Sequence, residues 1–161
     1  MHNIKGGIFD LDGVIVDTAK YHFQAWKKLG SLLGFDFTIS DNERLKGVSR
    51  MDSLNILLEI GQIELTQVQK EFYANKKNIW YNEFIDTMQP NEILPGVTMF
   101  LMALRDAGYK IALGSASKNA QKILHKTGLF YWFDAIIDGN KTQKAKPHPE
   151  VFLLAAKELG L

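Results

Sequence analysis

The chain opens on a short unbroken apolar run, Gly6-Gly7-Ile8-Phe9, that leads straight into Asp10-Leu11-Asp12-Gly13. A brief continuous apolar run is how a buried parallel strand reads. Its stop at two acids and a glycine predicts a strand ending in a functional loop. From residue 17 to about residue 34 the period becomes helical. Phe23, Trp26, Leu29 and Leu33 recur at three- and four-residue spacing, with Lys20, Lys27 and Lys28 elsewhere and Gly34 as a stop. Residues 41–46 read as a short helix and 47–50 as a loop. Asp52 is placed to cap a helix over 53–60 that stops at Gly61. Thr66 caps a long helix over 67–86, with Val68, Phe72, Ile79 and Phe84 expected on its inner face. Residues 17–86 therefore read as all-helical.

Beyond Pro90 and Pro95-Gly96 the pattern alternates. A helix over 97–107, with Phe100, Leu101 and Leu104 on one face, is closed by Gly108. Tyr109 to Leu113 is a strand broken at Gly114-Ser115, and 119–126 is a helix closed by Gly128. Residues 134–137 form a further strand, 138–146 a polar loop, and a last helix begins at Pro147 and Pro149 and runs to Leu159, with Gly160 as its stop. Strands alternating with helices imply βαβ units and a parallel sheet. The first strand needs parallel partners too. The expectation is a discontinuous α/β core of Rossmann type, residues 1–15 and 93–161, with a helical domain, residues 16–92, inserted after the first strand. Short linkers at both crossings suit a hinge.

Composition narrows the function classes. The chain has 161 residues, 46% hydrophobic and 23% charged, with 19 basic against 18 acidic residues. That is a globular profile, and the near balance of charge argues against a polyanion-binding surface, so no nucleic-acid partner is expected. There is no cysteine, which removes disulfides, thiolate metal sites and thiol nucleophiles together. No apolar run approaches the ~20 residues of a membrane span, and Asp10 and Asp12 interrupt any leader-like apolar segment. A soluble, cytoplasmic protein is the expectation, with any metal held through oxygen or histidine.

The predicted strands end in polar residues: Asp10 and Asp12 after the first, Ser115 after the second, and Lys146 in the loop after the third. In open α/β sheets, ligands bind beyond the carboxyl ends of the strands, so these side chains are expected on one rim. Asp10 and Asp12, two apart in extended backbone, point to the same side, and Leu11 points into the core. Paired carboxylates can be metal ligands, or a nucleophile beside a general acid/base. Ser115, in Gly114-Ser115-Ala116-Ser117-Lys118-Asn119 ahead of a helix, can hold a phosphate. Lys146 can neutralise that phosphate or the carboxylate. The set suits phosphoryl transfer, in which positioning and charge stabilisation do most of the catalysis.

Phe9-Asp10-Leu11-Asp12-Gly13-Val14 resembles the first motif of the haloacid dehalogenase superfamily, Ser115 its second, and Lys146 in Lys146-Pro147-His148-Pro149 its third. The helical insertion resembles the small mobile cap of one of its subgroups. Tyr21 to Trp26, Leu45 to Leu54, Ala116 to Asn119 and Phe133 to Ile136 narrow the resemblance to the β-phosphoglucomutase-like branch. The resemblance implies an α/β core with an inserted helical cap, and an Mg²⁺-dependent exchange of β-glucose 1-phosphate and glucose 6-phosphate through an aspartyl-phosphate and β-glucose 1,6-bisphosphate. It makes Asp10 the nucleophile and Asp12 the general acid/base. It gives Mg²⁺ to the Asp10 carboxylate and the Asp12 backbone carbonyl. Thr18 and His22 would align Asp12 at the hinge. Arg50, in the Gly47-Val48-Ser49-Arg50 loop, would hold the distal phosphate. Lys77 would lie near the sugar, and Trp26 is counted among the substrate-binding residues, with packing in the helical core as its plain alternative. Ser115 and Ala116 would bind the transferring phosphoryl, and Lys118 and Asn119 the substrate's phosphate side.

The superfamily's fourth motif, two acids after a further strand that complete the Mg²⁺ ligands, has no counterpart before Leu161. The expectation is a chain shortened relative to the family, in which the first strand is an exposed apolar edge prone to strand pairing. A full-length member would be a monomer. Plain alternatives stand beside several residues: a helix cap for Thr18 and Ser115, a solvated helix face for Lys77 and Lys118, and simple packing for His22 and for Phe130 to Phe133. Asp138 ends a strand near the site, and its role is left open. Two rival functions remain, a sugar-phosphate phosphatase and an inactive fragment that binds only phosphate or a partner.

Overall fold

The computed structural model describes residues 4–144 and 146–161. Residues 1–3 of the expected core domain lie outside them. The chain divides into two compact units, one of residues 1–18 and 87–161 and the other of residues 19–86. The crossings thus fall after residue 18 and after residue 86, against sequence-predicted boundaries after 15 and 92. The first difference follows from contacts: Val16 bridges Ile93, the Leu94 N–H donates to the Ile15 carbonyl at 3.0 Å, and the Thr18 hydroxyl donates to Asp12.

In the α/β unit, β1 (Gly6–Phe9), β2 (Lys110–Gly114) and β3 (Ala135–Ile137) form a three-stranded sheet in the order β1-β2-β3. All pairings are parallel, with Ile8 beside Ala112 and Leu113 beside Ile136. β1 lies at an edge and is only half-buried, whereas Ile111, Ala112 and Leu113 of the central strand are fully buried. Helices α5 (Val97–Asp106), α6 (Ala120–Thr127) and α7 (Glu150–Glu158) complete the unit. Val151 and Ala155 of α7, with Leu159 beyond its end, pack on Ala112, Ala135 and Ile137. On α5, Leu101 is fully buried, but Phe100 is 55% exposed rather than in the core, its ring edge-on to Phe9 at 5.9 Å.

The second unit is all-helical: α1 (Ala19–Leu32), α2 (Ile39–Glu43), α3 (Arg50–Gly61) and α4 (Gln67–Ile85). Its core gathers Trp26, Leu29, Phe37, Leu54 and Leu57. Two starts differ from the sequence reading. α2 begins two residues early because Thr38 and Asp41 form a reciprocal capping box. Ser49, not Asp52, caps α3: its hydroxyl accepts from the Asp52 N–H at 3.3 Å. Thr66 does cap α4.

The inner face of α4 also differs. Val68, Phe72 and Ile79 are mostly exposed, and Phe84 is half-buried. The buried stripe is Ala74, Lys77, Tyr81 and Ile85, spaced by three, four and four as a helix face requires. A lysine in that stripe masks it from a hydrophobicity count.

Candidate active site

β1 delivers the first two acids. Beyond Phe9 the chain turns about Leu11, whose side chain is fully buried and whose carbonyl accepts from the N–H groups of Val14, Ile15 and Val16 at 2.9–3.3 Å. Gly13 takes φ +75° in this turn, a conformation costly for other residues. Anchored by Leu11, Asp10 and Asp12 stand half-buried on either side of it. One oxygen of Asp10 accepts from the Leu11 N–H at 2.8 Å, and the other faces the Lys146 ammonium at 2.8 Å. Asp12 is held by the hydroxyl of Thr18, itself fully buried. Thr18 is therefore tied to the carboxylate it was expected to align, and it precedes α1 by one residue.

Ser115 directly follows β2 and is fully buried. Its N–H donates to Ile137 of β3 at 2.9 Å, and its hydroxyl accepts from the Ser117 N–H at 3.0 Å, leaving the hydroxyl proton to donate. It does not cap α6, which begins at Ala120 with Asn119 as its N-cap residue. Ala116 and Lys118 are exposed. The α/β unit thus carries Asp10, Asp12, Ser115 and Lys146 on the loops that leave the carboxyl ends of its strands. The sequence reading has only a polar loop after β3 and leaves Asp138 open; in the turn there Asp138 is buried and Asn140 bonds to the Lys118 carbonyl at 2.9 Å. An Asp-Gly-Asn run directly after a strand is the signal that marks it.

The helical unit holds a second cluster. Lys77 is 3% exposed, rare for a lysine unless it is partnered. Its ammonium lies 4.5 Å from the ring centroid of Trp26 and 4.7 Å from that of Tyr81, and 3.1 Å from His22 Nδ1. His22 stacks on Tyr81 at 4.1 Å. Burial, then the charges of Lys77 and Arg50, push the His22 pKa well below its usual 6.5, so the neutral ring accepts from the ammonium. Arg50 opens α3 just after Gly47, Val48 and Ser49, and burial lowers its pKa as well. The solvated-face alternative for Lys77 is excluded, and Trp26, 3% exposed, packs in the helical unit's core, its plain alternative.

A pH dependence follows. With its pKa lower in the folded than in the unfolded chain, His22 contributes stability that is fully present above about pH 6.5 and is lost as the pH falls toward the lower folded value. Thermal melts between pH 7.5 and 5 should show a falling midpoint in the native chain. His22→Gln should flatten that part of the profile; an unchanged slope would contradict the assignment.

A family model described as a haloacid dehalogenase-like hydrolase matches residues 4–161. The β-phosphoglucomutase of Bacillus subtilis is 42% identical over 160 residues, covering 98% of this chain and 71% of that protein. A crystal structure of β-phosphoglucomutase from Clostridium difficile superposes with a TM-score of 0.90 at 45% identity, covering 99% of this chain and 72% of that one. A fructose-1-phosphate phosphatase of Escherichia coli is 28% identical over 156 residues, covering 97% of this chain and 80% of that protein.

Proposed function

This chain belongs to the haloacid dehalogenase-like hydrolase family, and on that premise we propose that it is a sugar-phosphate phosphotransferase of the β-phosphoglucomutase type. The reaction is the interconversion of β-glucose 1-phosphate and glucose 6-phosphate through β-glucose 1,6-bisphosphate, in the cytoplasm. The observation that carries the reading is the Asp10 carboxylate, half-buried at the end of β1 and 2.8 Å from the Lys146 ammonium, with a second carboxylate two residues on held by Thr18. Identities of 42% and 45% to two β-phosphoglucomutases support the substrate class.

An oxygen of Asp10 attacks phosphorus; the Asp10–phosphorus bond forms as the bond from phosphorus to the sugar oxygen breaks. Asp12 gives its proton to the departing sugar oxygen. In the return step Asp12 takes the proton of the other sugar hydroxyl as that oxygen attacks the aspartyl-phosphate. Thr18 keeps Asp12 oriented for both roles. Lys146 neutralises Asp10 while it is free and the phosphoryl oxygens during transfer, and the Ser115 hydroxyl donates to one of those oxygens. Ala116 joins Ser115 in binding the transferring phosphoryl, and Lys118 and Asn119 bind the substrate's phosphate side. In the helical unit, Arg50 with Gly47, Val48 and Ser49 is the candidate for the phosphate that is not being transferred, and Lys77 the candidate for the sugar.

The donors at the site fit Mg²⁺, which takes hard oxygen ligands and keeps several waters. The Asp10 carboxylate and the Asp12 backbone carbonyl would hold it. No group of three or more acids, histidines or cysteines able to hold a metal occurs among the described residues. Bound there, Mg²⁺ supplies positive charge against the transferring phosphoryl group.

The phosphatase reading has its own support, the likeness to a fructose-1-phosphate phosphatase; water would then replace the sugar hydroxyl in the second step. A coupled assay separates the two. With β-glucose 1-phosphate, Mg²⁺ and a trace of β-glucose 1,6-bisphosphate, glucose 6-phosphate should form without matching release of inorganic phosphate. Stoichiometric phosphate release would assign the chain to the phosphatases.

A further inference from the structure

We propose that the turn Asp138-Gly139-Asn140, on the side of β3, is a positioning element that fixes the peptide planes of residues 116–119 for phosphoryl binding. This inference rests on the reading of that loop as the phosphoryl-binding segment. The loop between β2 and α6 lies outside regular secondary structure, so its carbonyls must find partners elsewhere. Three consecutive carbonyls meet the turn after β3. The Ser117 carbonyl accepts from the Gly139 N–H at 3.1 Å. The Lys118 carbonyl accepts from the Asn140 side-chain amide at 2.9 Å. The Ala116 carbonyl lies so close to Gly139 that a Cβ built there would stand 2.2 Å from its oxygen.

A peptide unit is planar, so pinning a carbonyl also aims the next N–H. The Ala116 carbonyl sets the Ser117 N–H, which donates to the Ser115 hydroxyl oxygen at 3.0 Å. The Ser117 carbonyl sets the Lys118 N–H. The Lys118 carbonyl sets the Asn119 N–H, which donates to the Ser117 hydroxyl at 3.2 Å. The orientation of the Ser115 hydroxyl is thus decided from β3 as well as from its own loop.

Asp138 secures the turn itself. Its side chain is buried and accepts from the Asn140 N–H at 2.9 Å, from the Asn140 side-chain amide at 3.3 Å, and from Gln121 of α6 at 3.2 Å. One carboxylate therefore ties the turn to itself and to the helix that the loop enters. None of the three residues of the turn needs to touch substrate for this role.

The test uses the full chain and inorganic phosphate as the probe, followed by amide chemical shifts and hydrogen exchange. Asn140→Ala removes the bond to Lys118, and with it the longer bond to Asp138, from an exposed position. Through the lost bond to the loop it should weaken phosphate binding about three- to tenfold, the equilibrium equivalent of one hydrogen bond. Exchange at Ser117, Lys118 and Asn119 should rise, with the β1 and α5 amides and the melting midpoint unchanged. Gly139→Ala, which displaces the Ala116 carbonyl, should weaken phosphate further, even where stability also falls. Ser115→Ala is the reference. If it weakens phosphate and Asn140→Ala does not, the positioning role is wrong and the reading of the loop stands. If Ser115→Ala has no effect either, both fail. A uniform rise in exchange across the sheet on Asn140→Ala would reduce the turn to a general stabiliser and overturn the proposal.

Discussion

Asp10→Asn is expected to abolish turnover, by about 10⁴-fold or more, as removal of a covalent nucleophile does elsewhere, while leaving the fold intact. The amide is isosteric with the carboxylate but cannot attack phosphorus at a useful rate. It still accepts the Leu11 N–H bond that shapes the turn at 2.8 Å. What it loses is the pair with Lys146, whose side chains are 27% and 38% exposed. An ion pair that open to water is worth at most about 1 kcal/mol. Steady-state kinetics beside a thermal melt would check both halves: loss of activity with a midpoint displaced by no more than a few degrees. Residual activity above about a hundredth of native would point to a different nucleophile.

The second large effect is expected at Asp12. Asp12→Asn removes the proton carrier but keeps the nucleophile, so turnover should drop about 10²- to 10⁴-fold, the usual contribution of general acid/base catalysis. The pattern differs from that of Asp10→Asn, because slow phosphoryl transfer onto Asp10 should survive. Thr18→Val should reproduce part of the loss through Asp12 alone, since Thr18 is fully buried and its hydroxyl donates to that carboxylate. Single-turnover transfer from β-glucose 1,6-bisphosphate distinguishes the three variants. Equal loss at all three would contradict separate roles.

Strand ends and their chemistry were legible in the sequence because each is marked twice, by an apolar run and by the polar residues that stop it. The run Gly6 to Phe9, ending at Asp10 and Asp12, and the run Tyr109 to Leu113, ending at Ser115, announce a parallel sheet with a polar rim. The strands pair in parallel as those runs predict. Less legible was the helical unit's interior. Its long α4 buries a lysine and exposes a valine, a phenylalanine and an isoleucine, the reverse of what hydropathy suggests. The aromatic rings of Trp26 and Tyr81 and the nitrogen of His22 make that burial tolerable for Lys77, and these partners come from two helices far apart in sequence.

The Asp138-Gly139-Asn140 turn illustrates another limit. Its residues read locally as an ordinary turn, and only the fold brings Gly139 against the Ala116 carbonyl. The capping differences are smaller in kind. Thr38 with Asp41 and Ser49 with Asp52 each offer a hydroxyl and an acid three residues apart. At α3 the sequence reading puts the cap on Asp52 where the Ser49 hydroxyl provides it, and at α2 it starts the helix at Asp41, inside the capping box that Thr38 opens.

The central claim is that Asp10 carries the phosphoryl group. The most direct measurement is rapid acid quench of the chain with β-glucose 1,6-bisphosphate and Mg²⁺, followed by peptide mass spectrometry. One phosphoryl group should appear on the peptide that contains Asp10, be removed by hydroxylamine as an acyl phosphate is, and be absent from Asp10→Asn. A phosphoryl group on Ser115 or on a histidine, or turnover with no phosphorylated peptide at all, would contradict it.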